Sequence, residues 1–201
     1  MDQMKNLIEL FYNQVLNKGD APFLWSKKGS TWQSITWEEA AKRVASLADK
    51  LKTLGVTPGD RVGLVSESRP EWPIADLAIM AVGGITVPAY VTNSIADHQY
   101  ILEDSQPIGV IVSSTNLAEN VLSAAEQVAS VKFAISFDQK LEVQTDRISL
   151  HNLDTIVDSR TDTAAIFDNA IESISRAQTA CLIYTSGTGG TPKGVMLSHG
   201  A

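Results

Sequence analysis

Between Arg61 and Phe137, short apolar runs alternate with stretches of helical periodicity, and this rhythm restricts the fold more than any other feature of the chain. "RVGLVS" is β-rich. Pro70 opens an apolar helix that runs to about Val82, because proline's fixed φ suits a first helical turn. "ITVPAY" is a strand, and its Pro88 lacks the N–H a ladder needs, which marks a sheet edge or a strand end. Ser94 caps a helix to about Glu103, and "IGVIVSS" is a nearly continuous apolar strand. Asn116 with Glu119 caps a further helix whose Leu117, Val121, Ala124, Ala125 and Val128 share one face, and "VKFAISF" is again a strand. Strands joined by crossover helices pair in parallel, and unbroken apolar runs are strands covered on both sides. The expected fold is α/β: a largely parallel sheet with helices on both faces.

The flanking segments are read the same way. Leu7, Ile8, Phe11, Val15 and Leu16 fall at helical spacing and Lys18-Gly19-Asp20 ends the pattern. The polar face of this helix carries little positive charge, which favours packing on the protein over lying on a membrane. In "ITWEEAAKRVASLADKLKTLGV" Thr36 and Glu39 form a capping box, Ala40, Val44, Leu47, Ala48 and Leu51 form the buried stripe, and Gly55 follows the end. "TPGD" is a turn. Residues 138–176 lose the rhythm and are read as a variable excursion with one helix near Thr163–Ile174; "AQTACLIYT" then returns as a strand. The organisation expected is 1–60, helices and strand; 61–137, alternating β/α unit; 138–176, excursion; 177–201, strand, phosphate loop and strand.

Composition excludes several function classes. With 44% hydrophobic and 19% charged residues the chain is globular, and its net charge of −7, without any basic run, argues against a nucleic-acid surface. The single cysteine, Cys181, allows no internal disulfide and fits a reducing compartment. "MDQMKNLIELFYNQVLNKG" has early acidic residues and no apolar core of the secretory kind. The longest uncharged apolar stretch, Leu77 to Val91, is too short for a bilayer and is broken by Gly83, Gly84 and Pro88. His98, His151 and His199 have no second ligand at metal spacing. His199 is read as a cap or turn residue, Cys181 and the four tryptophans as packing residues, and Asp104 and Ser105 as helix-ending and structural.

The chemistry is concentrated in "YTSGTGGTPKGVMLSHGA". Its glycines let backbone N–H groups approach an anion, Thr185, Ser186, Thr188 and Thr191 add hydroxyl donors, and Lys193 adds a full positive charge. The set suits a polyphosphate. It is not the common P-loop: Gly187 and Lys193 align with that pattern, but Pro192 stands at the second glycine and Gly194 at the Ser/Thr that would hold magnesium. "GVMLSH" reads as a strand, which makes the motif a loop between two strands.

This string closely resembles the signature of the adenylate-forming superfamily, which includes acyl-CoA synthetases, luciferases and peptide-synthetase adenylation domains. The upstream region from "ITWEEAAKRV" to "QYILEDS" is similar to theirs in the same order, and "RPEWPIADLAIMAVGGITVPAY" with "YTSGTGGTPKGVMLSH" most resembles bacterial long-chain fatty-acid–CoA ligases. The resemblance covers most of the chain and fades over 138–176. It implies the first part of a large N-terminal domain, because family members are more than twice as long and carry this loop well before their middle. It implies ATP-dependent activation of a fatty acid to acyl-AMP with release of pyrophosphate, then transfer to CoA, with ATP, Mg²⁺ and CoA required. Carried over residue by residue, Thr185, Ser186, Gly187, Thr188, Gly189, Thr191 and Lys193 would hold the β- and γ-phosphates. Gly189-Gly190-Thr191 departs from the commoner family pattern by an extra glycine.

The family's metal-binding glutamate, ribose-binding aspartate, adenine pocket and catalytic lysine all lie downstream. No catalytic or metal-binding residue is therefore expected within the chain, and the chain alone is expected to be inactive. The partners implied are fatty acid, ATP and CoA. The location implied is the cytoplasm, with peripheral membrane contact for the lipid. Two other readings stay open at this point: another carboxylate- or amino-acid-adenylating enzyme, and a short paralogue that binds a nucleotide or a partner without catalysis.

Overall fold

The computed structural model describes residues 4–137, 145–153, 161–185 and 191–201. Its centre is a seven-stranded sheet. In chain order the elements are α1 (Leu7–Lys18), β1 (Pro22–Lys28), β2 (Thr31–Thr36), α2 (Trp37–Thr53), β3 (Arg61–Val65), α3 (Glu71–Ala81), β4 (Ile85–Ala89), α4 (Ile95–Ser105), β5 (Gly109–Val112), α5 (Thr115–Ala125), β6 (Phe133–Ser136), β7 (Ser149–Asn152), α6 (Thr163–Ser173), β8 (Thr179–Thr185) and β9 (Lys193–Ser198). The sheet order is β7-β6-β5-β3-β4-β8-β9, parallel throughout except for β9, which runs antiparallel to β8. From β3 the chain steps by α3 to β4 on one side, then returns by α4 to β5 on the other side of β3. That reversal puts successive crossover helices on opposite faces, as right-handed connections require.

Alternation along the strands divides the core accordingly. Val62, Leu64, Ile111, Phe133 and Ile135 point into one layer with α1, α2, α3 and α6. Val65, Val110, Val112 and Ala134 point into the other with α4 and α5. Both faces of the central strands are thus covered, which is why their sequences are apolar without interruption.

Local signals set most of the helix ends. Thr36 and Glu39 form the reciprocal capping box, and Ala40, Val44, Leu47, Ala48 and Leu51 are fully buried. Ser94 forms a second box with Asp97. α1 packs through Ile8, Phe11 and Val15 on α2 and α6.

Three expectations are corrected and one is narrowed. Leu16 stands 67% exposed, outside the buried stripe of α1. The cap of α5 is Ser114, whose Oγ accepts from Leu117 N, not Asn116: the chain turns directly off β5, and Asn116 already lies inside the helix. Of the two positions expected for Pro88, a sheet edge or a strand end, it takes the second: it lies near the end of an interior strand, whose pairing with β8 is at Thr86↔Cys181, before Pro88 is reached. Trp25 and Trp32 stand exposed on β1 and β2, whereas Trp37 stacks on Phe23 at 3.7 Å and takes Lys18 over its ring. The β1–β2 hairpin and β7 were not anticipated; β7 extends the parallel sheet beyond β6 from within the 138–176 stretch.

The histidines give the fold a pH dependence. Burial lowers the pKa of His98, of His151 and of His199; Asp97 partly opposes this at His98, and Lys50 adds to it at His151. An unfolded histidine titrates at about 6.5. The unfolded chain therefore takes up protons first as pH falls, so the stabilisation is complete above about 6.5 and is lost below it. The urea midpoint is expected to be lower at pH 5.5 than at pH 7.5, with His98→Gln flattening the slope. Equal midpoints would contradict this account.

Candidate functional site

β4 and β8 end on the same edge of the sheet, the carboxyl edge at which α/β folds bind ligands. Here the chain leaves β8 at Thr185 and re-enters at β9 with Lys193. The two residues are direct partners in the antiparallel ladder, so their side chains share a face, and both are exposed. Among the described residues no acidic side chain forms an ion pair with Lys193. A hydroxyl and an ammonium without an ion-pair partner among the described residues therefore stand side by side at the mouth of the loop. Thr191 is exposed beside them. Ser186, Gly187, Thr188 and Gly189 lie outside the described residues.

On the opposite face of the same ladder, Met196 is exposed but Tyr184 is packed. Tyr184, paired with Gly194, is buried to 7% exposure, and its hydroxyl donates to Asp104 Oδ2 at 2.6 Å. Burial and the Asp104 carboxylate push the phenol well above its ordinary value, so it remains a donor at any physiological pH. A Cβ on Gly194 would stand 3.0 Å from Leu182 Cδ1 and 3.3 Å from Tyr184 Cζ. A side chain at this position, where a P-loop has Ser/Thr, would need Leu182 and then Tyr184 to give by a few tenths of an ångström.

A cavity of about 460 Å³ adjoins the loop, floored by Pro88, Ala89, Ile101 and Ile183 and flanked by Tyr100 and Tyr184. The nearby carboxylates are engaged: Asp97 closes the α4 capping box and Asp104 accepts from Tyr184. Among the described residues no group of three or more histidine, cysteine or carboxylate side chains is placed to hold a metal ion. Among the remaining candidates, His199 is a packed residue, 4% exposed, whose main-chain N–H donates to Gln178 O. Cys181 is half-buried, and burial together with Asp76 raises its thiol pKa, which makes it a poor nucleophile. Trp72 packs on the main core.

The loop and its charge are legible in the sequence and its anchors are not: Tyr100 carries no signal of its own, and Asp104 reads only as the end of a helix. Among the described residues no helix is long and apolar enough to cross a membrane.

Residues 11–201 match the family described as AMP-binding enzyme. The chain is 34% identical over 168 residues to the long-chain-fatty-acid–CoA ligase FadD15 of Mycobacterium tuberculosis, covering 84% of the chain and 27% of that protein. It is 31% identical over 193 residues to the long-chain-fatty-acid–CoA ligase ACSBG2 of Rattus norvegicus, covering 95% of the chain and 29% of that protein. Its fold matches the acetoacetyl-CoA synthetase of Streptomyces lividans with a TM-score of 0.81 at 22% identity, over 97% of the chain and 30% of that structure. The fatty acyl-adenylate ligase of L. pneumophila, solved with acyl adenylate and pyrophosphate, matches with a TM-score of 0.68 at 23% identity, over 98% of the chain and 31% of that structure. The chain thus spans between a quarter and a third of the length of these relatives.

Proposed function

Because this chain belongs to the family of AMP-binding enzymes, we propose that it supplies the polyphosphate-holding part of an ATP-dependent long-chain fatty-acid–CoA ligase. The observation that carries the reading is the pairing of Thr185 with Lys193 on one exposed face at the carboxyl edge of a parallel sheet. The substrate class is supported by the two long-chain relatives at 34% and 31% identity.

In this reading a fatty carboxylate attacks the α-phosphorus of ATP, forming acyl-AMP and expelling pyrophosphate; the CoA thiolate then displaces AMP to give the thioester. Negative charge gathers on the departing β- and γ-phosphates. Preorganised donors stabilise such charge without having to reorganise at the moment of reaction. Lys193 supplies the charge, and Thr185, Ser186, Thr188 and Thr191 with the N–H groups of Gly187 and Gly189 supply the hydrogen bonds. Mg²⁺ would neutralise phosphate charge when present. With no metal-holding cluster among the described residues, it would arrive on the polyphosphate. Fatty acid, ATP and CoA are the partners of this reading, and a cytoplasmic location with peripheral contact to a membrane suits the apolar substrate.

The test is a chain-length series. The full-length protein with ATP, Mg²⁺ and CoA is given carboxylates from acetate to oleate, and pyrophosphate release is measured. The rate is expected to peak with a long chain. An optimum at acetate, or with an amino acid, would refute the substrate class.

A further inference from the structure

We infer that Tyr100 is a positioning residue for the polyphosphate loop, holding the backbone from which Lys193 projects; this rests on the loop reading above. The Tyr100 hydroxyl donates to the Pro192 carbonyl at 2.7 Å across a separation of 92 residues. Pro192 immediately precedes Lys193, and proline has no N–H with which to fix this position by a turn. Without the tyrosine, nothing described on the α4 side would hold that peptide.

The same helix holds the other side of the mouth. Asp104, one turn beyond Tyr100 on the same face of α4, accepts from Tyr184, which immediately precedes Thr185. The two rings meet edge-on at 6.3 Å and 83°. Tyr100 and Asp104 therefore tie down the residues directly before Lys193 and directly before Thr185, anchoring from α4 the end of the ladder that sets the two donors side by side. α4 is itself a rigid base. It is boxed at its start by Ser94 and Asp97, buried through His98, Ile101 and Leu102, and clamped at its end, where Arg61 donates to the carbonyls of Ser105 and Gln106. A helix that only packed on the sheet would need no polar reach to both edges of the loop. Binding groups are effective when a second layer of contacts holds them in place.

Tyr100→Phe keeps the ring and removes only the hydroxyl. In the full-length protein it is expected to raise the KM for ATP roughly two- to tenfold, the value of one net hydrogen bond. The KM values for oleate and CoA and the urea midpoint should stay close to wild type. Backbone hydrogen exchange at Lys193 and Gly194 is expected to quicken. Lys193→Ala is run beside it. If Lys193→Ala impairs ATP use while Tyr100→Phe matches wild type in KM and exchange, the positioning role is overturned and the loop reading survives. If Lys193→Ala also uses ATP normally, the loop reading fails and takes this inference with it. A Tyr100→Phe effect spread equally over all three substrates would show a merely structural residue and overturn the proposal.

Discussion

Gly109→Ala is expected to destabilise the fold by about 1–3 kcal/mol or more, the usual cost of overpacking a full core. Gly109 opens β5, and its direct neighbour in the register is Phe133 of β6. The Phe133 ring, 1% exposed, lies across the glycine: a Cβ there would stand 2.3 Å from ring carbons Cε2 and Cζ. No atom pair tolerates that distance, and the ring has little room to retreat because it is packed among the residues of the main core. The backbone at Gly109 has no left-handed φ, so the whole penalty is one of space. Urea unfolding of the chain measures it, and a thermal scan should show a fall in Tm of roughly 2–4 °C per kcal/mol for a domain of this size. Phe133→Leu should recover part of the loss when combined with Gly109→Ala, because the two sites share one volume and their effects are coupled. A Gly109→Ala protein within about 0.5 kcal/mol of wild type, a shift typical of innocuous surface changes, would show that the ring does not occupy this space.

Lys193→Ala in the full-length protein is expected to lower the rate of ATP-dependent acyl-CoA formation roughly 10- to 100-fold, the value of a hydrogen bond to a charged group. The lysine is exposed at the start of β9, so its removal leaves the core untouched and the urea midpoint should hold. The loss should fall on steps that involve the triphosphate, with the KM for oleate unchanged. Lys193→Arg should keep part of the activity because the charge remains, though its planar fork presents donors differently from an ammonium. Steady-state rates against ATP at saturating oleate and CoA decide the matter. Near-normal rates for Lys193→Ala would remove the phosphate-holding role from this residue.

The chain shows unevenly how local signals and tertiary contacts divide the work. The capping boxes at Thr36–Glu39 and Ser94–Asp97 were legible because both partners lie three residues apart. The apolar runs of β3, β5 and β6 announced strands buried on both faces, and Thr185 and Lys193 could be assigned to strand ends flanking a glycine-rich loop. These features depend on neighbours along the chain, so the sequence by itself determined them. The hairpin of β1 and β2 was harder: its residues are mostly exposed, so no burial pattern marks them. The short strand β7 is recognisable only by its pairing with β6. Pro88 in an interior strand and Ser114 as the cap of α5 were decided by where neighbouring strands stop and turn. Only the tertiary structure put β4 and β8 side by side, laid the Phe133 ring over Gly109 and brought Tyr100 and Asp104 to the two sides of the loop. The physical reason is range. A cap or a periodicity gains its energy from residues a turn away, whereas strand order and a hydrogen bond across 92 residues exist only once the core has closed.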